Sequence, residues 1–274
     1  MVTFPNSKIN IGLNIIGKRN DGYHDIETVF YPIAVKDALE IIPSAASDTD
    51  IIFTSSGNPI SGNIDENLCV KAYRLLKKDF PEVPSVKMHL HKNIPMGAGL
   101  GGGSSDGASV LMLLNKKFDL NISEEKLIEY ALILGSDCPF FIKNKPCLAK
   151  GRGENLKEIN LDLSKYKIMV VHPGIHVNTA EAFAQIDPTN YSPAGSLESA
   201  IQNDISEWKS LIKNDFEESV FQKHPEIKEI KNAMYETGAV YTSMSGSGSS
   251  VYGIFPQDMK INIKLPPYYF CQIV

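Results

Sequence analysis

The chain has 274 residues, enough for one large domain or two ordinary ones, and 43% of them are hydrophobic, as in a soluble globular protein. Its formal net charge of −5 provides no basic excess for binding nucleic acid or an anionic membrane, so we expect neither as a partner. The first residues lack a signal-peptide pattern and no apolar run approaches the roughly 20 residues of a membrane span, which predicts a cytoplasmic protein.

Residues 7–17 alternate between apolar and polar side chains, which predicts a strand. One face of this strand carries Lys8, Asn10 and Asn14, and the pattern alone allows either a solvated face or a functional role. A turn rich in charged residues follows, and directly after it a loop could present Tyr23 and His24 to a ligand. An exposed pair of this kind can equally be incidental.

The next elements in the chain predict structural roles. Residues 26–35 and 38–42 have strand patterns, and a helix begins near Asp65. Alternation at residues 86–91 predicts another strand with His89 and His91 on one side. With no carboxylate or cysteine nearby, these histidines indicate an exposed strand face rather than a metal site.

The most informative stretch is the glycine-rich segment at residues 95–109. Its glycines allow positive φ angles, and the apolar periodicity after it predicts a helix beginning near Ser104 or Ser105. A loop that leads into a helix N-terminus presents unpaired N–H groups and the positive end of the helix dipole, which together favour an anion. The alternative is a tight turn or a flexible linker.

Two familiar phosphate-binding loops do not fit this segment. Gly97, Gly99 and Gly102 match the spacing of a dinucleotide-binding fingerprint, but the following helix leads to another helical pattern rather than to a strand ending in an acid. A Walker A loop requires a Gly-Lys-Ser/Thr sequence, whereas Gly102 is followed by glycine and serine. The sequence therefore predicts a phosphate loop without a Walker lysine.

The second half of the chain continues with helices and a second sheet. A helix opens at Ser123 and ends at Gly135, and Asp137 behind it is either a cap residue or a functional acid. The buried-strand pattern at residues 168–173 restarts the architecture, so we predict two domains, 1–160 and 161–274. The four cysteines show no zinc-like or dense disulfide spacing, which predicts reduced thiols.

Two further features lie in the predicted second domain. Thr179 has the position of an N-cap, and Phe183 follows one turn later, where an aromatic residue is usually part of the core. A late glycine loop with Gly246 and Gly248 separates two strand patterns and is compatible with a simple hairpin.

The segments containing Lys8, Tyr23 and His24, the glycine-rich stretch and the late glycine loop together resemble the GHMP kinase superfamily. This resemblance implies an α+β fold of two domains with the active site in the cleft between them, and it implies ATP and Mg²⁺ as cofactors. It assigns the ATP phosphates to the loop residues Pro95, Met96, Gly97, Ala98, Gly99, Leu100, Gly101, Gly102, Gly103, Ser104 and Ser105. The late loop with Gly246 and Gly248 would support them.

The resemblance also implies roles for the polar residues. Asp137 matches the catalytic aspartate that accepts the proton of the substrate hydroxyl. Lys8 matches the lysine whose positive charge favours the ionised carboxylate and the developing alkoxide. Ser105 is a candidate ligand of Mg²⁺. Asn67 and Lys92 match neighbours of the nucleoside.

Some residues resemble those of superfamily members whose substrate is a cytidine diphosphate-linked polyol. Tyr23 and Phe183 match an aromatic pair that stacks on cytosine, and His24 matches the residue that reads the edge of the base. Asn10 and Thr179 match residues that line the substrate. Two alternatives remain at this point: another small-molecule kinase of the homoserine or mevalonate type, and a non-catalytic small-molecule sensor on the same fold. The sequence gives no oligomeric state.

Overall fold

The structure is a computed structural model that describes residues 1–44, 49–187, 189 and 191–274. The strands are β1 (Val2–Thr3), β2 (Asn6–Lys18), β3 (His24–Lys36), β4 (Ala38–Pro43), β5 (Ile51–Gly57), β6 (Val86–Lys92), β7 (Cys147–Gly151), β8 (Asn155–Glu158), β9 (Tyr166–His172), β10 (Tyr241–Met244), β11 (Val251–Pro256) and β12 (Phe270–Ile273). The α-helices are α1 (Leu68–Asp79), α2 (Gly102–Lys117), α3 (Glu124–Leu134), α4 (Cys138–Lys143), α5 (Thr179–Ala184), α6 (Ser196–Ala200), α7 (Trp208–Leu211), α8 (Glu217–Lys223) and α9 (Pro225–Glu236). Within the described ranges, no helix has the length and apolarity needed to cross a membrane.

The chain forms two compact units, each built from segments that lie far apart in the sequence. Unit 1 consists of Met1–Ser7, Ala34–Met96 and Gly101–Lys145. Unit 2 consists of Lys8–Ile33, Gly97–Leu100 and Pro146–Val274. Because these units interleave along the chain, they do not follow a single cut, and the predicted division into residues 1–160 and 161–274 stays a prediction.

Unit 1 combines one sheet with four helices. Its strands are ordered β1-β4-β6-β5, antiparallel except for the parallel pair of β5 and β6. Helix α1 begins where the Asn67 side chain accepts the N–H of Cys69, and it buries the face that includes Tyr73 and Leu76. Helices α1, α2 and α3 pack together, and α4 packs on α2 and α3.

Unit 2 contains two sheets and the remaining helices. One sheet has the order β2-β3-β7-β8, and the other is antiparallel with the order β10-β11-β9-β12. Helix α9 packs on β10 and β11, and Met234, Met244 and Phe255 belong to the buried core there. The predicted helix at 225–236 and the predicted strands on both sides of the late glycine loop are confirmed.

Three local predictions need correction. A solvated face on β2 is wrong, because Lys8, Asn10 and Asn14 are as buried as the isoleucines on the opposite face. Helix α2 begins at Gly102 rather than at Ser104 or Ser105, since a glycine cap at position 101 with φ of 70° replaces a serine cap. His24 is the first residue of β3 and is not a loop residue.

The predicted exposed strand face at His89 and His91 is confirmed, and the reduced state of the thiols stays a prediction. Cys69, Cys138, Cys147 and Cys271 are free thiols, and only the last is exposed. His89 and His91 lie on an exposed strand face, where their rings contact hydroxyl groups of β5.

Candidate active site

The glycine-rich stretch is divided between the two units: Gly97–Leu100 belong to unit 2, and the residues from Gly101 onward, which form the first turn of α2, belong to unit 1. The Ser105 N–H donates to the carbonyl of Gly101 at 2.9 Å, so the chain turns into the helix directly after that positive-φ glycine. Ser105 is buried, Gly103 and Ser104 are half-buried, and in the preceding segment Pro95 is half-buried and Met96 is exposed. A helix start of this kind carries a partial positive charge and free N–H donors, which suits a phosphate group.

Three buried charged side chains lie directly behind this helix start. The Lys92 ammonium donates to Asp37 and, at 2.8 Å, to Asp106. A Cβ atom on Gly102 would come within 2.8 Å of the Lys92 nitrogen, so a glycine is required for this close approach. Asp37 also accepts the N–H groups of Asn93 and Ile94, at 2.6 and 2.8 Å, and thereby fixes the chain that leads into the loop.

Burial and mutual attraction shape the charges of this cluster. Burial alone would lower the pKa of Lys92, but Asp106 and Asp37 raise it above its usual value. Burial raises the pKa of Asp106, and the nearby Asp37 adds to this shift, although Lys92 opposes it. The Cys69 thiol on α1 faces the same cluster, and its burial raises its pKa well above the usual range. Lys92 is therefore a buried counter-ion of these two acids. It is not among the residues that line the cavity of unit 1 described below.

Asp137 stands between two helices of unit 1, close to the start of α2. It occupies the N-cap position of α4 without capping the helix through its side chain, and it is half-buried. The next residue, Cys138, is buried, and burial raises the pKa of its thiol to about 12, an effect that Ser104 in the first turn of α2 partly opposes. Because α4 packs on α2, the segment of Asp137 lies on the helix that we predict to hold phosphate. The interpretation of Asp137 as a cap or turn residue is confirmed for its position in a turn before α4, although its side chain forms no capping hydrogen bond.

A cavity of about 350 Å³ opens beside the same helix start in unit 1. Its apolar lining includes Phe53, Ile60, Ile64, Leu68, Leu90 and Met96. Polar lining groups come from Asn67, Gly103 and Asp106 among others. An apolar cavity with a few polar groups is the usual form of a small-molecule site. Of the two predicted nucleoside neighbours, Asn67 lines this cavity.

In unit 2, residues Gly97–Leu100 are seated against the late glycine loop. The Ser245 hydroxyl donates to the carbonyl of Gly99 at 2.8 Å and accepts the N–H of Asn10 at 3.1 Å. Asn214 donates to the carbonyls of Met244 and Gly246, at 2.9 and 2.8 Å, which holds the late loop in place. The late loop is therefore more than a hairpin turn, because its Ser245 side chain is hydrogen-bonded to the backbone of the first loop.

We expect Gly99→Ala to lower the free energy of unfolding by at least about 2 kcal/mol, from positive-φ strain and overpacking. Gly99 has φ of 76°, and a Cβ atom there would lie 2.0 Å from the carbonyl oxygen of Ser245. Gly103→Ala is the matched control, since nothing lies within 4 Å of its added methyl group and it is helical. Urea denaturation measures both; equal stabilities would contradict the tight seat of the loop.

A chain of hydrogen bonds fixes Lys8 and Asn10 in unit 2. The Lys8 ammonium donates to the Asn10 side-chain oxygen at 2.5 Å and lies 4.7 Å from the centroid of the Phe30 ring. The Asn10 amide donates in turn to Thr28 at 3.0 Å. The Lys8 backbone N–H donates to the carbonyl of Leu100, so the lysine and the first glycine loop are joined directly.

The aromatic residues predicted to clamp a base lie in two separate stacks. His24 stacks on Phe183, with 4.7 Å between the ring centroids and 12° between the planes. Burial, with Lys18 nearby, lowers the pKa of His24, which favours the neutral ring. Tyr23 is 57% exposed, and the Arg152 guanidinium lies 4.8 Å from its ring centroid. The structure thus brings His24, and not Tyr23, to the ring of Phe183.

Thr179 is the first residue of α5, and the prediction that it caps this helix is wrong. Asn178 is the cap, because its side chain accepts the N–H groups of Ala180 and Glu181. The Thr179 hydroxyl instead forms a 2.8 Å hydrogen bond with Ser247 in the late glycine loop. Thr179 is exposed, which leaves it accessible to a substrate.

Sequence reasoning missed the groups that support the predicted site residues. Asp37 lies outside every motif of the sequence, whereas Asp106 and Ser245 lie within the two glycine loops but carried no predicted supporting role. The available signal was a charged residue between two apolar strand patterns, as at Asp37, because a buried acid needs a partner. The identity of that partner depends on the fold.

Comparisons with known proteins agree with this arrangement. The GHMP kinases N terminal domain family matches residues 67–145, and the GHMP kinases C terminal family matches residues 196–264. The chain is 52% identical over 261 residues to 4-diphosphocytidyl-2-C-methyl-D-erythritol kinase of Bacteroides fragilis (strain YCH46), covering 95% of this chain and 94% of the relative.

Solved structures show the same similarity. A crystal structure of 4-(cytidine 5'-diphospho)-2C-methyl-D-erythritol kinase matches with a TM-score of 0.80 and 31% identity, over 93% of this chain and 90% of that one. Homoserine kinase from Cytophaga hutchinsonii matches with a TM-score of 0.71 and 16% identity, over 98% of this chain and 94% of that one. The second likeness is one of fold alone. The expected α+β GHMP kinase fold is confirmed.

Proposed function

The chain belongs to the 4-diphosphocytidyl-2-C-methyl-D-erythritol kinases, a family of GHMP kinases, and from this premise we propose which of its residues carry out the phosphoryl transfer. The enzyme uses ATP to phosphorylate the 2-hydroxyl of 4-diphosphocytidyl-2-C-methyl-D-erythritol, a step of the non-mevalonate isoprenoid precursor pathway. The homoserine and mevalonate alternatives rest on likenesses of fold at 13–18% identity and are not supported further.

The observation that carries the assignment of residues is the contact between the start of α2 and the segment of Asp137. Helix α4, which begins directly after Asp137, packs on α2, and Ser104 in the first turn of α2 influences the pKa of the Cys138 thiol. Phosphoryl transfer requires alignment of the acceptor with the γ-phosphate and neutralisation of the charge on the transferring group. In this proposal the N–H groups of residues 101–105 bind phosphate oxygens, and Asp137 accepts the proton of the acceptor hydroxyl.

The proposed division of labour extends to the other predicted residues. The cavity beside Gly103 would hold the nucleoside of ATP, because it is apolar and adjoins the helix start. Lys8, held by Asn10 over the Phe30 ring, would stabilise the negative charge that develops on the acceptor oxygen. In unit 2, the backbone N–H groups of Gly97–Leu100 and of the late loop with Gly246 and Gly248 would bind phosphate oxygens.

Mg²⁺ is the proposed cofactor beside ATP. Among the described residues no cluster of three or more histidine, cysteine, aspartate or glutamate side chains could hold a metal ion. Mg²⁺ commonly keeps several water ligands and binds through substrate phosphates and one or two protein oxygens. The buried Ser105 hydroxyl in the first turn of α2 would be such an oxygen. The ion would neutralise charge on the phosphates.

The base-binding residues are proposed from the resemblance; the exposed ring of Tyr23 supports it, whereas His24 already stacks on Phe183 and Asn10 is buried. Tyr23 would stack on cytosine, with Phe183 as the second ring and His24 at the edge of the base. Asn10 and Thr179 would line the polyol. Stacking on the ring faces of Tyr23 and Phe183 would contribute affinity for the base. Contacts of His24 with the edge of the base would contribute specificity. Free thiols at all four cysteines are compatible with a cytoplasmic enzyme, which we also propose.

An ADP-release assay across candidate alcohols tests the activity. We expect ATP-dependent ADP release with 4-diphosphocytidyl-2-C-methyl-D-erythritol and none above background with homoserine or mevalonate. Omission of Mg²⁺ in the presence of a chelator should abolish the signal. Binding of the cytidylyl alcohol without any ADP release would instead indicate the non-catalytic sensor.

The base clamp has its own test. We expect Tyr23→Ala to raise KM for the cytidylyl alcohol about tenfold or more, since base–aromatic stacking contributes about 1–3 kcal/mol. KM for ATP should stay within about twofold, because ATP is assigned to other residues. Tyr268→Ala is the matched control, because Tyr268 is 76% exposed. Tyr166 is less suitable, since it lies in β9. An unchanged KM for the alcohol would exclude Tyr23 from the clamp.

A further inference from the structure

Arg152 lies in a tight turn of unit 2 between β7 and β8. Its backbone N–H donates to the Glu154 carboxylate at 2.6 Å, and the N–H of Gly153 donates to the carbonyl of Lys150 at 3.2 Å. The backbone that carries the arginine is therefore fixed by its own turn. The guanidinium lies over the ring of Tyr23, with 4.8 Å from Cζ to the ring centroid.

The Arg152 guanidinium forms no ion pair with any carboxylate in the ranges that the structure describes. Its charge reaches Asp21, whose pKa is lowered chiefly by the N–H of Tyr23, then by Arg19 and least by Arg152. Asp21 is instead paired with Arg19 at 3.0 Å. Arg152 is half-buried and has no ion pair, so surface charge pairing does not explain the position of its guanidinium over the Tyr23 ring.

The backbone of Tyr23 is held independently of its ring. Asp21 accepts the Tyr23 N–H at 3.1 Å, and Arg19 links Asp21 to Asp25, to which it donates at 2.8 Å. This network fixes the main chain and leaves the side chain to be ordered by other contacts. Since the Tyr23 ring is 57% exposed and makes no ring–ring contact in the described part of the chain, Arg152 is its ordering partner.

We propose that Arg152 is a positioning residue for base recognition, stacking on one face of Tyr23 so that the ring is held ready for cytosine. The proposal rests on the assignment of Tyr23 to the base clamp. An exposed aromatic side chain loses rotamer freedom when a ligand stacks on it, and a ring that is already ordered avoids that loss. A planar guanidinium suits this role because it stacks on an aromatic face, as a lysine ammonium does not.

Arg152→Gln tests the proposal in the full-length enzyme. We expect KM for the cytidylyl alcohol and Kd for cytidine 5'-diphosphate, measured by calorimetry, to rise about three- to tenfold, in line with the loss from one unordered side chain. KM for ATP, kcat and the melting temperature should change little. Arg152→Lys should recover only part of the affinity. Arg74→Gln is the matched control, since Arg74 is exposed and paired with Asp65 in unit 1.

A double-mutant cycle with Tyr23→Ala separates positioning from direct contact. If Arg152 acts through Tyr23, Arg152→Gln will have no further effect on affinity in the Tyr23→Ala background. An equal, additive loss in that background would overturn the positioning role and indicate a direct contact of Arg152 with the substrate diphosphate, while leaving the clamp intact. If Tyr23→Ala alone has no effect, the clamp assignment fails, and the positioning role fails with it.

Discussion

Replacing Asp137 with asparagine is expected to lower kcat by about 10²–10⁴-fold, the usual contribution of a general base. Asparagine keeps the size of the side chain but cannot take the proton of the acceptor hydroxyl. Because Asp137 is half-buried and does not cap α4, the substitution should leave the melting temperature and the dissociation constants of ATP and the alcohol within a few-fold of wild type.

Single-turnover measurement of ADP formation separates chemistry from product release in this variant. Asp119→Asn is the matched control, since Asp119 has φ of 50°, a conformation that asparagine tolerates well. The control should retain full turnover. Loss of a general base should leave at most about a hundredth of wild-type turnover. If Asp137→Asn retained more than about a tenth, the role of Asp137 as proton acceptor would be wrong.

Lys92→Met is expected to lower the free energy of unfolding by about 3–5 kcal/mol, because it removes the partner of buried carboxylates. The side chains of Lys92, Asp37 and Asp106 are 1%, 0% and 3% exposed, so water cannot replace the lost ammonium. One oxygen of Asp106 already has no hydrogen-bond partner, which leaves that carboxyl group especially dependent on Lys92. Urea denaturation measures the change.

The control and a second variant make this prediction specific to the buried cluster. Lys71→Met removes an ammonium from an exposed pair with Glu66 and should change stability by no more than about 1 kcal/mol. Adding Asp106→Asn to Lys92→Met should recover part of the loss, since one uncompensated acid is removed. Similar free energies of unfolding for Lys92→Met and Lys71→Met would show that the buried cluster of Lys92, Asp37 and Asp106 does not stabilise the protein.

Local patterns in the sequence were sufficient for most elements and for the central loop. Alternation at residues 86–91 and periodicity at 225–236 identify β6 and α9, because side-chain period and solvent contact are local properties. The glycines at 95–109 likewise predict a phosphate loop without a Walker lysine. The resemblance added the kinase family, and the comparisons confirmed it.

The sequence by itself predicted the phosphate loop, and its resemblance to the GHMP kinases singled out Lys8 and Asp137 as expected site residues. Only the tertiary structure decided what surrounds them. Burial of the polar face of β2 and the packing of α4 on α2 depend on contacts between residues far apart in the chain. The same holds for Lys92, which serves as the counter-ion of two acids 55 and 14 residues away. Such pairings minimise the free energy of buried charge, and no local pattern encodes them.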